Sequence, residues 1–359
     1  MKKEILIAEF EITHTEILHS QILFLLQGGY KIDLWLNEEA EFEDVYDGKV
    51  KIVRAKTEKS SLNLKLLYKI LKYVKHHKIK KIVLNTAHGI FIRNLCFVLL
   101  NKKVEVTGIL HQAHKIVKSS TQSIISKKVK KYFVLNDYVK DFILKETEEK
   151  YKVESFYPIY YNKLSDIKDK FNERIVITIP GNVIQIRKDY VFLVKSLLKL
   201  DAELKNKFQF IILGRATENE SPEMLKLINE NNIREDFLKI YKNYVSDEEY
   251  DEVIQDSDYI MPLIHPTSLS YNEYLSTEIS GAFNTAFGYH KPLLMYESFS
   301  KFEDFKNFSI FYNESNFLHI LEDLAKKNMT TDFKKRYENY PKFDFEFQAK
   351  KYINFIENH

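Results

Sequence analysis

Short apolar runs alternate with longer stretches of helical period along the whole chain. KEILIAEF reads as a strand, and THTEILHSQILFLLQ as a helix halted by Gly28-Gly29. YKIDLWLN and VKIVRA read as strands. NLKLLYKILKYVKHHK is helical, with Leu66, Leu67, Ile70, Leu71 and Val74 on one side. IKKIVLNT, EVTGILHQ and KKYFVLN read as further strands with helical material between them. The same alternation restarts after the Tyr-rich, Pro-marked connector SFYPIYYNKLSD. RIVITIPG, FQFIILG, FLKIYKNY, DYIMPLI and KPLLMY are predicted strands there. KDYVFLVKSLLKLDAEL, SPEMLKLINENN, SDEEYDEVIQDS and the segment opening SGAFNTAFGYH are predicted helices, the third with a Ser246 cap and acids in its first turn. This order predicts an α/β protein of two doubly wound domains, residues 1–160 and 171–343, with a boundary near 158–172. FDFEFQAKKYINFIEN is an amphipathic helix with no strand after it. Paired domains of this kind place ligand at the carboxyl ends of both sheets, in the cleft between them.

Composition narrows the class without naming a reaction. A chain of 359 residues, 45% apolar and 29% charged, suits a soluble protein of one large domain or two ordinary ones. The single cysteine, Cys96, excludes an internal disulfide, and its setting in FIRNLCFVLL predicts a buried thiol. Clustered Cys/His spacing for a metal is absent. The start of the chain lacks a secretory signal, and no apolar run is long enough to span a membrane, which makes the cytoplasm the expected location.

The net charge of +3 conceals an asymmetry. Residues 49–131 hold 21 Lys/Arg against two acids, Glu58 and Glu105. Such a stretch is either a solvated basic face or a surface for an anionic partner. Few aromatics are interleaved and no nucleic-acid fold signature accompanies it, which favours a membrane surface over RNA or DNA.

Five segments in order resemble the retaining family-4 type of GT-B glycosyltransferase: KKYFVLNDYVKDFI, ITIPGNVIQIRKDYVFLVKSL, FQFIILG, FLKIYKNYVSDEEYDEVIQDSDYIMPLI and SGAFNTAFGYHKPLL. The resemblance covers most of residues 130–300. It implies two Rossmann-like domains facing a central cleft, with the C-terminal helix 344–359 crossing back to the first. It also implies a nucleotide-sugar donor whose diphosphate is gripped by cations and a helix N-terminus. Gly181 matches the family's glycine, Asn182 replaces its arginine, Arg187 stands at its lysine and Lys188 follows. Gly214 ends a donor-side strand, and Tyr244 and Val245 fall beside the base, uracil or guanine. Ser280, Gly281 and Ala282 supply small side chains and backbone N–H groups for the diphosphate. The family's Glu-x7-Glu pair is lost: alignment on Lys291-Pro292 puts Thr277 and Thr285 at its positions. Glu278 is the nearest replacement acid at the sugar, and Thr285 remains for the ribose.

In the first domain, the family's Gly-rich loop is replaced by ITHTEILHSQ. Thr13 or Thr15 reads as a helix cap and Glu16 as a dipole partner on the acceptor side. His14 has no such structural duty and is a candidate for substrate contact. His111, at the end of GILHQ, matches the family's histidine near the transferred sugar, while His114 reads as a helix residue. His265 is a weaker candidate, and His290, in place of the exit glycine, reads as structural. The reading is a hexosyltransferase moving a sugar from a nucleotide diphosphate to a lipid-linked or cell-envelope glycan acceptor, retaining and metal-independent. The alternatives are a non-catalytic subunit of the same fold that binds a glycan or a partner transferase, and a nucleotide-sugar epimerase.

Overall fold

The computed structural model describes residues 3–57, 63–159, 174–327 and 329–358. The chain forms two compact units. The first comprises residues 1–160, Ser276–Glu278 and residues 344–359; the second comprises residues 161–275 and 279–343. The expected boundary at 158–172 lies almost wholly outside the described residues.

The first unit is built on strands β1 (Lys3–Glu9), β2 (Tyr30–Asn37), β3 (Val50–Ala55), β4 (Lys81–Leu84), β5 (Glu105–Ile109), β6 (Lys131–Val134) and β7 (Lys152–Ser155). All pair in parallel, in the order β3-β2-β1-β4-β5-β6-β7. Central strands of such a sheet are covered on both faces, which is why β1 and β2 read as near-continuous apolar runs. Ile5, Ile7, Ile32, Leu34 and Leu36 are fully buried.

The C-terminal helix Phe345–Glu357 packs on the helix Leu18–Gln27 of this unit. Phe24 meets Phe345 and Tyr352, and Tyr352 stacks on Phe133 at 4.4 Å. Lys81 and Lys131 donate to the carbonyls of Ile356 and Asn358, a cationic finish to a helix C-terminus. Both lysines also pair with Glu105, one of the two acids in the basic stretch.

The second unit carries β8 (Ile175–Pro180), β9 (Phe208–Arg215), β10 (Leu238–Tyr241), β11 (Tyr259–Ile260), β12 (Leu293–Tyr296) and β13 (Ser309–Tyr312). Their parallel order is β10-β9-β8-β11-β12-β13. Its core joins Ile177, Ile179, Phe210 and Ile212 of the sheet to Leu193, Leu197, Met224 and Leu321 of the covering helices.

The architecture is that of two Rossmann-like α/β domains, as the alternation predicts. Several details differ. KDYVFLVKSLLKLDAEL divides into the helices Tyr190–Leu198 and Ala202–Lys207, the second capped by Asp201. DYIMPLI shrinks to a two-residue strand because Pro262 has no N–H for the ladder and Leu263 turns to φ 58°. The strands β7 and β13 escape the periodicity reading. KVES is a polar edge strand whose Glu154 pairs with Lys140 and Lys351, and SIFY is too short to show a period. Neither Thr13 nor Thr15 caps a helix: the 3-10 turn Thr15–Ile17 starts from His14, with no side-chain cap.

Candidate functional site

Each sheet has a point where strand order reverses, between β1 and β4 in the first unit and between β8 and β11 in the second. Adjacent loops diverge there, leaving a crevice at the strands' carboxyl ends. Both points hold buried polar groups of their unit.

In the first unit, β1 ends in Glu9 and β4 runs into Asn85-Thr86, all three buried. Glu9 accepts hydrogen bonds from Asn85 Nδ2 and Thr86 Oγ1, both at 2.6 Å, and from the Glu11 N–H at 2.7 Å. Burial pushes its carboxyl up to about 7, against the pull of those donors and of His14. Asn85 Nδ2 also donates to the His14 carbonyl at 2.9 Å. His111, two residues past β5, sends Nε2 to the Asn85 carbonyl at 2.8 Å and stacks on His14 at 3.7 Å. Burial, reinforced by His14, holds the His111 ring well below the usual histidine range, so it is neutral at pH 7. Its Nε2 must carry the proton that the carbonyl accepts, which leaves Nδ1 as an acceptor for a hydroxyl.

His88 lies beside this pair. Its pKa falls to about 4 through burial and then Lys115, His14 and His114. Glu16 is exposed, with its carboxylate 3.6 Å from His14. His114 immediately precedes the short helix Lys115–Lys118. The segment Ser276–Glu278 also belongs to this unit: Thr277 accepts from the Ala113 N–H at 3.0 Å, and the Glu278 carbonyl from Tyr138 at 2.8 Å. Glu278 lies close enough to Lys115 to favour that lysine's charge.

In the second unit, Gly181 follows β8 with φ 98°, a conformation open to glycine and strained for other residues. Gly214 of β9 packs directly on it. A Cβ at 214 would fall 2.2 Å from the Gly181 carbonyl oxygen. Lys188 is buried behind this turn, its ammonium bonded to the Pro180 carbonyl, and burial lowers its pKa to about 7. Arg187, the favoured cation of the sequence reading, is exposed instead, and among the described residues its guanidinium makes no ion pair.

Asp189 caps the helix Tyr190–Leu198 through the Phe192 N–H at 3.0 Å and accepts from Thr267 at 2.7 Å and His265 Nδ1 at 3.3 Å. His265 is fully buried and meets Tyr312 through Nε2 at 2.8 Å. Burial raises the Asp189 carboxyl, but the His265, Thr267 and Phe192 hydrogen bonds outweigh it and bring it down to about 2. A depressed folded value means a contribution present above the ordinary 3.8 and lost as pH falls through 2. Asp189→Ala is therefore expected to cost about 1–2 kcal/mol at pH 7. The deficit should shrink below pH 4 in chemical-denaturation curves.

The helix Gly281–Gly288 is buried from Ala282 onward, with Phe283 and Phe287 against Phe305. Only Gly281 is exposed, no side chain caps the helix, and a Cβ at Gly281 would meet nothing within 4 Å. An open, uncapped N-terminus can receive an anion. Ser280 and Ala282 flank it, both buried. Thr285 is buried one turn on and bonds Tyr250 at 3.2 Å. Tyr244 is exposed and Val245 buried in the loop after β10. His290 adopts φ 53° and stacks on Tyr337 at 4.8 Å, a structural role in a glycine-like conformation.

The structure thus gathers His14 with His111, and Gly181 with Lys188 and Gly214. Sequence reading passed over Glu9, Asn85 and Thr86, although polar residues ending apolar runs in IAEF and VLNT were a usable signal. Among the described residues no helix is long and apolar enough to cross a membrane, and no group of three or more His, Cys, Asp and Glu could hold a metal ion.

No protein-family model and no curated protein matches the sequence. Solved structures do match the fold. A glycosyltransferase from Rickettsia africae aligns over 100% of both chains at TM-score 0.65 and 11% identity. Anabaena HepE in complex with UDP aligns over 98% of both at TM-score 0.66 and 12% identity. The UDP-GlcNAc 2-epimerase of Neisseria meningitidis, bound to UDP-GlcNAc, aligns over 97% of both at TM-score 0.56 and 12% identity.

Proposed function

We propose that this chain is a glycosyltransferase that takes a hexose from a nucleoside diphosphate. The observation that carries the reading is the donor-side constellation of the second unit. A buried cation, Lys188, sits behind the Gly181 turn, and the same domain presents an uncapped helix N-terminus at Gly281. A leaving diphosphate gains negative charge as its bond to the sugar breaks. A fixed cation and a helix end stabilise that charge more in the transition state than in the ground state. Arg187 adds an exposed cation. In the retaining route, the acceptor oxygen bonds to the anomeric carbon on the face the diphosphate leaves, and the hydroxyl proton passes to the departing phosphate oxygen. On the first unit, neutral His111 accepts a hydrogen bond from a sugar hydroxyl, and His14 contacts the acceptor or donor. Glu278 stands for the acid lost from the donor helix. These cations do the charge work without a metal.

The acceptor is a lipid-linked or cell-envelope glycan met at the cytoplasmic face of a membrane. No carboxylate occurs between Glu58 and Glu105, and Leu64, Tyr68, Ile90 and Phe97 are exposed on the helices Leu64–His76 and Ile90–Leu99 of that stretch. Lysines beside exposed apolar groups suit anionic headgroups.

The test is transfer or donor hydrolysis with a panel of UDP- and GDP-sugars, with and without chelator. The expected result is chelator-insensitive turnover that falls about 100-fold or more in His111→Ala. Abolition by chelator would remove the metal-free reading. A second reading, a non-catalytic subunit, is favoured by one observation: Thr285 replaces a carboxylate and is already bonded to Tyr250. Calorimetry separates them, because absence of binding to both UDP and GDP would leave only the subunit.

A further inference from the structure

His14 is a left-handed residue without being glycine, at φ 66° and ψ 21°. An L side chain there crowds its own carbonyl, so the conformation persists only where surrounding bonds over-determine it. The loop has no glycine before Gly28 to absorb the turn. Its hydrogen bonds show what holds it. Glu9 accepts from the Glu11 N–H at the front of the loop, and Asn85 Nδ2 donates to the His14 carbonyl at the back. The same Nδ2 is bonded to Glu9, and Thr86 holds the carboxylate from the other side. Asn85 cannot flip its amide, because Gln21 donates to its Oδ1 at 2.5 Å and is itself fixed by Tyr352 at 3.0 Å. Asn85 also reaches the second histidine, since its backbone carbonyl takes His111 Nε2. One residue therefore sets the backbone of His14 and the ring of His111, and the two rings lie 13° from parallel.

We propose that Glu9 and Asn85 are positioning residues. They clamp the strained His14 loop and hold the His14 and His111 rings as one stacked pair at the carboxyl ends of β1 and β5. Besides Gln21 and Tyr352, the network reaches a loop carbonyl and an imidazole, the two points needed to fix the pair. The catalytic consequence rests on the glycosyltransfer reading; the conformational claim does not.

The test is a mutant cycle read by thermal unfolding of the full chain. Glycine tolerates the left-handed conformation and alanine does not, so His14→Gly should melt about 2–4 °C above His14→Ala. In a Glu9→Gln background one carboxylate oxygen becomes an N–H₂, which opposes either the Glu11 N–H or the Asn85 and Thr86 donors, so one tie of the loop is lost and the gap should narrow. Asn85→Ala replaces Glu9→Gln if the latter fails to fold. Alanine as stable as glycine in the wild-type background would overturn the left-handed claim. An undiminished gap in the clamp variants would overturn the clamp.

Histidine-selective NMR gives a second reading without any substrate. The ring-current shift of His14 against His111 should disappear in Glu9→Gln, and its persistence would count against the proposal. Where transfer is measurable, clamp variants should lose kcat 10-fold or more with donor KM changed less than threefold, because the diphosphate grip lies in the other unit. The reverse pattern would overturn the positioning role.

Discussion

Lys188→Met is expected to abolish nucleoside diphosphate binding and, at the same time, to make the protein more stable below pH 7. Both effects come from one geometry. The Lys188 ammonium is buried and bonds the Pro180 carbonyl, and burial lowers its pKa from 10.5 to about 7. The unfolded chain therefore binds more protons than the folded one between those values, and stability rises with pH across that window. Below pH 7 the folded state carries the full penalty of a buried charge, on the order of 5 kcal/mol for a shift of that size. Methionine removes it, so the gain should be largest at acid pH and vanish above about pH 10. Under the proposed function, a diphosphate would supply the missing counter-charge and bind the protonated lysine. Binding should then take up a proton, and affinity for UDP or GDP should weaken up to about tenfold per pH unit above 7. Calorimetry in buffers of different ionisation enthalpy measures both. Affinity that is flat from about pH 6 to 8.5, or a Lys188→Met protein that binds like wild type, would remove Lys188 from the donor site.

Gly214→Ala should have the largest effect on stability, about 3 kcal/mol. The added methyl would lie 2.2 Å from the Gly181 oxygen and 3.0 Å from its carbonyl carbon. Both are backbone atoms in the turn that follows β8, so no side-chain rotation relieves the clash. β8 and β9 pair from Ile175–Phe208 to Pro180–Leu213, and the strain falls at the end of that ladder. The Gly181 turn should shift with it and take Lys188 along, so nucleotide affinity should drop in the same variant. Gly281→Ala is the control. Its Cβ has open space, and its stability should stay within about 0.5 kcal/mol of wild type. Equal effects at the two glycines, in thermal or denaturant unfolding, would show that the close strand packing does not exist in solution.

The two glycines also show how differently parts of the site can be read from sequence. Gly181, Gly214 and Gly281 stand out in a chain with only nine glycines, and their places after strands or before a helix are legible. Which one tolerates a methyl is not legible, because it depends on the distance between neighbouring strands. Arg187 and Lys188 pose the same problem. Adjacent cations look interchangeable in IQIRKDY, yet one side chain is exposed and the other is buried against a carbonyl. Helical periodicity alone could not assign them, since they precede the helix that starts at Tyr190.

His265 and His111 were both strand-end histidines. One is enclosed between Asp189 and Tyr312, the other stacked against His14 with an acceptor nitrogen to offer. That difference comes from partners 76 and 47 residues from His265, and from Asn85, 26 residues from His111, together with the stacked His14.

Alternation of apolar runs with helical periods was enough to specify two parallel α/β units and most of their strands. Burial of a sheet on both faces leaves a mark in local composition. The chain also carries its glycines, its basic stretch with only two carboxylates and its candidate histidines in plain view. Tertiary structure was needed to bring Glu9, Asn85 and Thr86 under His14, since these residues are up to 77 positions apart and each looks like an ordinary strand end. Short strands such as KVES and SIFY likewise exist through their neighbours in the sheet. The physical reason is the same in each case. Periodicity reports which face of an element is buried, whereas pKa, strain and polar partnership arise from groups that meet only when the strands take their order in the sheet.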